Sequence, residues 1–130
     1  MLDQGATTTG PRLRSISVVI PLLNEAPVLE ELHRRLAGVL RELGAVYEII
    51  FVDDGSTDGS IDKIRKLRTL DPAVRFIRFR RNFGKSAALA AGFRKARFEV
   101  IATMDADLQD LPEELPALLA KLEEGCDLVS

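Results

Sequence analysis

The stretch YEIIFVDDGSTDGS, residues 47–60, decides the fold. An apolar run, Tyr47–Val52, ends in two adjacent carboxylates, Asp53 and Asp54, and a Gly/Ser/Asp loop follows. A continuous β-branched and aromatic run, rather than an alternating one, is how a strand buried on both faces of a parallel sheet reads. After the loop, DGSIDKIRKLRTL places Ile61, Ile64 and Leu67 at helical spacing, with Asp58 expected as the N-cap. A buried strand, a short polar loop and an amphipathic helix make one βα unit.

The chain repeats that unit. Strands are expected at Ser15–Ile20, Tyr47–Val52, Val74–Phe79, Glu99–Met104 and Cys126–Ser130. The first helix, PVLEELHRRLAGVLREL, carries Leu29, Leu32, Leu36, Val39, Leu40 and Leu43 as one apolar stripe, and Pro27 suits its first turn. His33 lies beside that stripe and is expected at the surface. The third helix, GKSAALAAGFRKA, has small residues that allow tight packing. The fourth, LPEELPALLAKLEEG, has Pro112 and Pro116 near its first turn, where N–H groups lack helical partners. Asp110 is expected to cap it, Leu115, Leu118, Leu119 and Leu122 to face inward, and Gly125 to end it. Strict alternation of strand and helix predicts an α/β fold, a doubly wound and mostly parallel Rossmann-like sheet in the order 3-2-1-4. The charged strand VRFIRFRR is expected at an edge.

Composition bounds the answer. The 130 residues suffice for one core. At 46% hydrophobic and 29% charged they read as globular rather than disordered. A net charge of −2 gives no argument for nucleic acid. Residues 63–97 hold twelve of the eighteen Lys and Arg against one acid, Asp71, which reads as solvated faces or as a surface for phosphates or anionic lipid. Cys126 is the one cysteine, so no internal disulfide forms; it is expected as a small buried hydrophobe, and a cytoplasmic setting fits. Residues 1–14 read as a disordered polar tail, and residues 15–130 as the domain. ISVVIPLL is too short to span a membrane.

In such a sheet the loops leaving the strand C-termini share one edge, where ligands bind at the switch point between strands 1 and 4. Here those loops are PLLNE, DDGSTDG, RRNFGKS and DADLQD, which bring Glu25, Asp53, Asp54, Asp58, Asp105, Asp107 and Asp110 into one region. Capping accounts for Asp58 and Asp110 but not for the other pairs. Asp105, Asp107 and Gln109 alternate, so an extended segment aims three oxygens to one side. Mg²⁺ and Mn²⁺ take such ligands, with substrate phosphates completing the shell. Buried carboxylates such as Asp53 and Asp54 can accept donors from a nucleobase or ribose. No G-x-G-x-x-G follows strand 1, which argues against NAD, and no P-loop is present. A response-regulator phosphoacceptor needs its acidic pair after strand 1, and a haloacid-dehalogenase-type phosphatase needs D-x-D there; strand 1 here ends in PLLNE.

Taken together, PLLNE, VDDGSTDGS, NFGKSAALAAG and DADLQDLPE resemble the family 2 nucleotide-sugar glycosyltransferases. Within them they look most like the polyprenyl-phosphate branch of dolichol-phosphate mannose synthases and bacterial undecaprenyl-phosphate glycosyltransferases. The resemblance covers residues 15 to 130. It implies a glycosyltransferase A-type fold and a UDP- or GDP-linked sugar donor. It implies nucleoside contacts from Pro21, Asn24 and Glu25, and base and ribose contacts from Asp53 and Asp54. Asn82, Gly84, Ala88 and Gly92 match the motif that packs under the nucleotide. Asp105 and Asp107 match the catalytic metal motif, with Asp105 also near the nucleotide and Gln109 as third metal ligand. Lys85 is a candidate for a phosphate. Leu23 stands where relatives often have an aromatic residue, and Asp110 where many have His.

The implied reaction transfers the sugar with inversion, assisted by Mg²⁺ or Mn²⁺, to an acceptor. The resemblance makes a polyprenyl phosphate at the cytoplasmic face of a membrane the expected acceptor; a phosphate oxygen is already anionic, so that acceptor would need no protein base. The alternatives are a sugar hydroxyl acceptor, or a non-catalytic fragment that binds nucleotide sugar. The family's transferase domain is longer than this chain, so the sequence reads as its donor half, with the acceptor side missing.

Overall fold

The computed structural model describes residues 15–123. The expected polar tail, the strand Cys126–Ser130, the Gly125 stop and the buried Cys126 lie outside the described residues. The elements run β1 (Ser15–Leu22), α1 (Ala26–Glu42), β2 (Val46–Asp53), α2 (Ser60–Leu70), β3 (Val74–Arg78), α3 (Lys85–Lys95), β4 (Val100–Thr103), a 3-10 turn (Pro112–Glu114) and α4 (Leu115–Glu123). The four strands are parallel in the order β3-β2-β1-β4, as expected, and the charged β3 is an edge.

The two faces of the sheet are covered differently. On one face Ile16, Val18, Ile20, Ile49 and Phe51 meet Leu29, Leu32, Leu36 and Leu40 of α1 and Ile61, Ile64 and Leu67 of α2. Each such fully buried side chain is worth about 1.5–3 kcal/mol. On the other face Val19, Ile50 and Val52 meet Ala88 and Ala91 of α3. Small residues bring α3 close: a Cβ added at Gly92 would overlap Val19 Cγ1 and lie 3.3 Å from Val52 Cγ2. The site residues at both ends of this contact, on α3 and on the sheet, are therefore held in a fixed relation.

Polar groups also lock the layers. Glu48 is fully buried on β2. Its carboxylate accepts from Ser17 Oγ at 2.6 Å, Arg75 Nη1 at 2.7 Å, and Arg97 through both N–H (2.8 Å) and Nε (3.0 Å). Burial works to raise its pKa, but these hydrogen bonds outweigh burial and hold it below the ordinary value. The basic stretch is thus partly engaged by partners within the chain: Arg75 and Arg97 on Glu48, and Arg65 and Arg68 over the Phe76 ring.

Two expectations are corrected. His33 is buried, not at the surface, because Asp71 at the end of α2 supplies a partner: Nε2 lies 2.8 Å from Asp71 Oδ2. The carboxylate accepts only, so the ring nitrogen donates. Tyr47 Oη donates to the same oxygen at 3.3 Å, and Ala73 N–H to Asp71 Oδ1 at 3.0 Å. A partner 38 residues away leaves no trace in local periodicity. Leu122 is exposed rather than inward-facing, since α4 meets the core through Leu115 and Leu119.

Two outcomes test this packing. Gly92→Ala gains about 1 kcal/mol of helix propensity but overpacks against a central strand at about 1–3 kcal/mol, so a net loss on the order of 1 kcal/mol is expected as a lower urea midpoint. For Asp71, burial pushes the carboxyl up, but His33, the Ala73 N–H and Tyr47 outweigh it and hold the pKa below the usual carboxylate value. Its contribution is therefore present above about pH 4 and lost as pH falls through the folded value. Asp71→Asn should cost about 1–3 kcal/mol at pH 7 and flatten the fall of stability toward acid, read by thermal unfolding across pH.

Candidate active site

Parallel strands end with backbone donors that the sheet does not pair, and here the neighbouring loops supply acceptors. After β1, Asn24 adopts φ 56°, a left-handed conformation that Asn tolerates better than most residues. Its N–H donates to Ser56 Oγ at 2.8 Å, and its Oδ1 accepts from Thr57 N–H at 2.8 Å. The Glu25 N–H donates to Ser60 Oγ at 3.1 Å, and the Ala26 N–H to Asp58 Oδ2 at 3.0 Å. Asp58 also accepts from the Ser60 N–H (3.0 Å) and Oγ (2.6 Å), bonds that with the Ala26 N–H hold its pKa low. Gly59, in the left-handed region, is the N-cap residue of α2, so Asp58 is not the cap expected; it ties the start of α1 to the start of α2.

The two β2 carboxylates divide their work. Asp54 lines the cavity but is bonded to the loop after β3: Oδ1 accepts from Phe83 N–H at 2.7 Å, and Oδ2 from Gly84 N–H and Asn82 Nδ2, both at 3.0 Å. The two loops touch closely enough that a Cβ on Gly55 (φ +90°) would sit 2.6 Å from the Arg81 carbonyl carbon. Asp53 is fully buried; Oδ1 accepts from Ser56 N–H at 2.9 Å, while Oδ2 is buried with no hydrogen-bond partner among the described residues.

The loop after β4 is bent rather than extended, with Leu108 at φ 65°. The expected alternation of Asp105, Asp107 and Gln109 along an extended segment is not what forms. The Gln109 N–H instead donates to Asp107 Oδ1 at 3.1 Å, a local turn that Asp favours. Asp110, expected to cap the last helix, turns back: its Oδ2 accepts from Asp105 N–H at 3.0 Å, and Leu111 occupies the cap position of the 3-10 turn. Lys85, the first residue of α3, reaches across to Asp105, with Nζ 2.7 Å from Oδ1.

These loops enclose an open cavity of about 400 Å³ lined by Pro21, Leu22, Leu23, Glu25, Asp54, Asn82, Gly84, Lys85, Asp105, Ala106 and Asp107. The fold thus brings Pro21, Glu25, Asp54, Lys85, Asp105 and Asp107 together. It places Asn24, Asp53 and Gln109 outside the lining, Asp53 fully buried and Asn24 and Gln109 exposed. Ser56 and Ser60, to which the sequence alone gives no role in the site, accept from the Asn24 and Glu25 N–H groups and hold the first loop; nothing in their local pattern signals those long-range bonds. Negative charge accumulates on one wall: burial, then the charges of Asp107 and Asp58, raise the Glu25 pKa. The opposing Lys85 is raised by its hydrogen bond to Asp105, then by the charge of Asp105, with Asp110 and Asp107 adding to it. Among the described residues no group of three or more His, Cys, Asp or Glu can hold a metal. Two carboxylates on an open wall do suit a hard cation that keeps positions for phosphate oxygens and water.

The doubly wound parallel sheet in the order β3-β2-β1-β4 is a fold of the glycosyltransferase A type, and its acid-walled cavity lies at the switch point, where such sheets bind ligands. The chain belongs to glycosyl transferase family 2, whose family model matches residues 17–130. It is similar to the undecaprenyl-phosphate 4-deoxy-4-formamido-L-arabinose transferase of Salmonella paratyphi A, at 42% identity over 118 residues, 90% of this chain and 36% of that protein. The chain therefore spans little more than a third of that relative's length. Its structure resembles a mannosyltransferase from Pyrobaculum calidifontis in complex with GDP-Man and Mn²⁺, with TM-score 0.72 and 26% identity over 94% of this chain and 35% of that one. It also resembles the glucosyl-3-phosphoglycerate synthase of M. tuberculosis, with TM-score 0.64 and 27% identity over 84% of this chain and 41% of the other. Among the described residues no helix is long and apolar enough to cross a membrane.

The Asp54 bracket is open to test. Asp54→Asn removes acceptor capacity from three donors and should cost about 1–3 kcal/mol. Faster amide exchange at Phe83 and Gly84, with little change in β1, is the expected signature.

Proposed function

We propose that residues 15–130 form the donor-binding part of a glycosyltransferase that moves a sugar from a UDP- or GDP-linked donor to a polyprenyl phosphate, with inversion. The observation that carries this reading is the convergence of Glu25, Asp54, Lys85, Asp105 and Asp107 on one cavity of about 400 Å³ at the switch point of the sheet. That volume suits a nucleotide-sized ligand. The names of the Salmonella and Pyrobaculum proteins support the acceptor class and the donor-plus-cation reading respectively. The setting that follows is the cytoplasmic face of a membrane.

Each residue then has a role. Asp107 and Asp105 are the catalytic carboxylates that would hold Mg²⁺ or Mn²⁺; Gln109, outside the cavity lining, reaches that set only if the loop after β4 rearranges. Bound there, a divalent cation supplies electrostatic stabilisation of the departing diphosphate. Lys85, at the positive end of α3, offers an ammonium to the same phosphates. Of the acidic pair, Asp54 lines the cavity and is the carboxylate that would meet base or ribose, while Asp53, fully buried outside the lining, holds the loop through the Ser56 N–H. Pro21 and Glu25 form the nucleoside wall, and Asn24 sets the turn that carries them. Leu23 presents an aliphatic surface to the cavity where an aromatic ring would stack. The acceptor phosphate is anionic near neutral pH, so attack on the anomeric carbon requires no base from this chain.

Titration calorimetry with UDP- and GDP-sugars, with and without Mn²⁺, tests this reading. Asp107→Ala is expected to weaken the Mn²⁺-dependent binding by at least about tenfold, the scale lost even when a group that only supports a metal ligand is removed. Donor binding that needs no metal and is unchanged by Asp107→Ala would overturn it.

A further inference from the structure

Lys85 occupies an unusual place. It is the first residue of α3, where the helix dipole is positive and a cation is disfavoured. What holds it there is Asp105, with Nζ 2.7 Å from Oδ1. Both side chains line the cavity, and both are substantially open to water, at 62% and 43% exposure. A pair that exposed is worth little and exchanges readily for a better partner. The ammonium also sits on one of the two carboxylates assigned to the cation, whereas among the described residues Asp107 accepts from the Gln109 N–H of its own loop.

The charges on the two sides of the cavity make this arrangement consequential. Asp105, Asp107, Asp110, Glu25 and Asp58 supply acid from the loops after β1, β2 and β4, and Lys85 is the cation that faces them from α3. A divalent cation entering alone must displace the ammonium from Asp105 and leave it without a partner at a helix N-terminus. A diphosphate entering with the metal gives the ammonium a new anion at the position where helix N-termini favour one.

We propose that Lys85 holds the place of the divalent cation on Asp105 in the free protein and transfers to the donor diphosphate, so that metal and donor bind as a positively coupled pair. This rests on the cation reading of Asp105 and Asp107 above. Coupling of this kind is reciprocal: the diphosphate raises affinity for the metal by the factor that the metal raises affinity for the diphosphate.

The test measures Mn²⁺ affinity by electron paramagnetic resonance for the full chain, alone and with saturating UDP or GDP, in wild type, Lys85→Gln and Lys85→Arg. Lys85→Gln should bind Mn²⁺ alone about two- to fivefold more tightly than wild type, the range set by an exposed ion pair. The gain in Mn²⁺ affinity on adding nucleotide should shrink in Lys85→Gln and return in Lys85→Arg, a pattern that a merely structural lysine would not produce. Thermal unfolding of each variant checks that the fold is intact. Unchanged or weaker Mn²⁺ binding by folded Lys85→Gln, with nucleotide coupling as in wild type, would overturn the transfer role while leaving the cation site standing. If wild type binds no Mn²⁺ even with nucleotide, it is the cation reading itself that fails, and the role of Lys85 goes with it.

Discussion

Backbone donors left unpaired at the ends of parallel strands are the constraint on which the site depends. A strand that stops leaves N–H groups that must find acceptors elsewhere. In this chain the acceptors are side-chain oxygens of the neighbouring loops: Asn24 and Ser56 join the first loop to the second, and Asp54 joins the second to the third. Asp110 closes the fourth on itself. The result is a set of loops braced against one another without regular structure. Most of the acids that look redundant in the sequence are the braces, and they are what allow Asp105 and Asp107 to stand on an open wall.

Opposed charges are carried on different elements, and that gives the cavity its character. The acids ride on the loops after β1, β2 and β4, whereas Lys85 rides on α3, seated on the other face of the sheet by the close approach of Gly92 to Val19. A packing contact some seven residues along the helix therefore sets where the ammonium can reach. Glu48, gathering Ser17, Arg75 and Arg97, fixes the entry to β4 from the opposite end of the sheet, and so fixes where Asp105 emerges. Packing and buried polar bonds far from the cavity thus decide the distance between its cation and its anions.

Periodicity and residue type settle the βα alternation, the order 3-2-1-4, the edge position of β3 and the gathering of acids at one edge. These follow from local hydrophobic pattern and from the handedness of crossovers, both of which survive in a linear string. Tertiary structure decides which acid does what. Asp58 and Asp110 look like helix caps because Asp before a helix usually is one, yet Asp58 reaches the start of α1 and Asp110 turns back on its own loop. His33 looks like a surface residue because its partner Asp71 is distant in the chain. Asp54 looks like a ligand group, and it spends both oxygens on backbone and Asn82, while the spare buried oxygen belongs to Asp53. A carboxylate has several acceptor positions and no directional preference that sequence encodes, so its role is set only when the fold chooses which donors come within 3 Å of it.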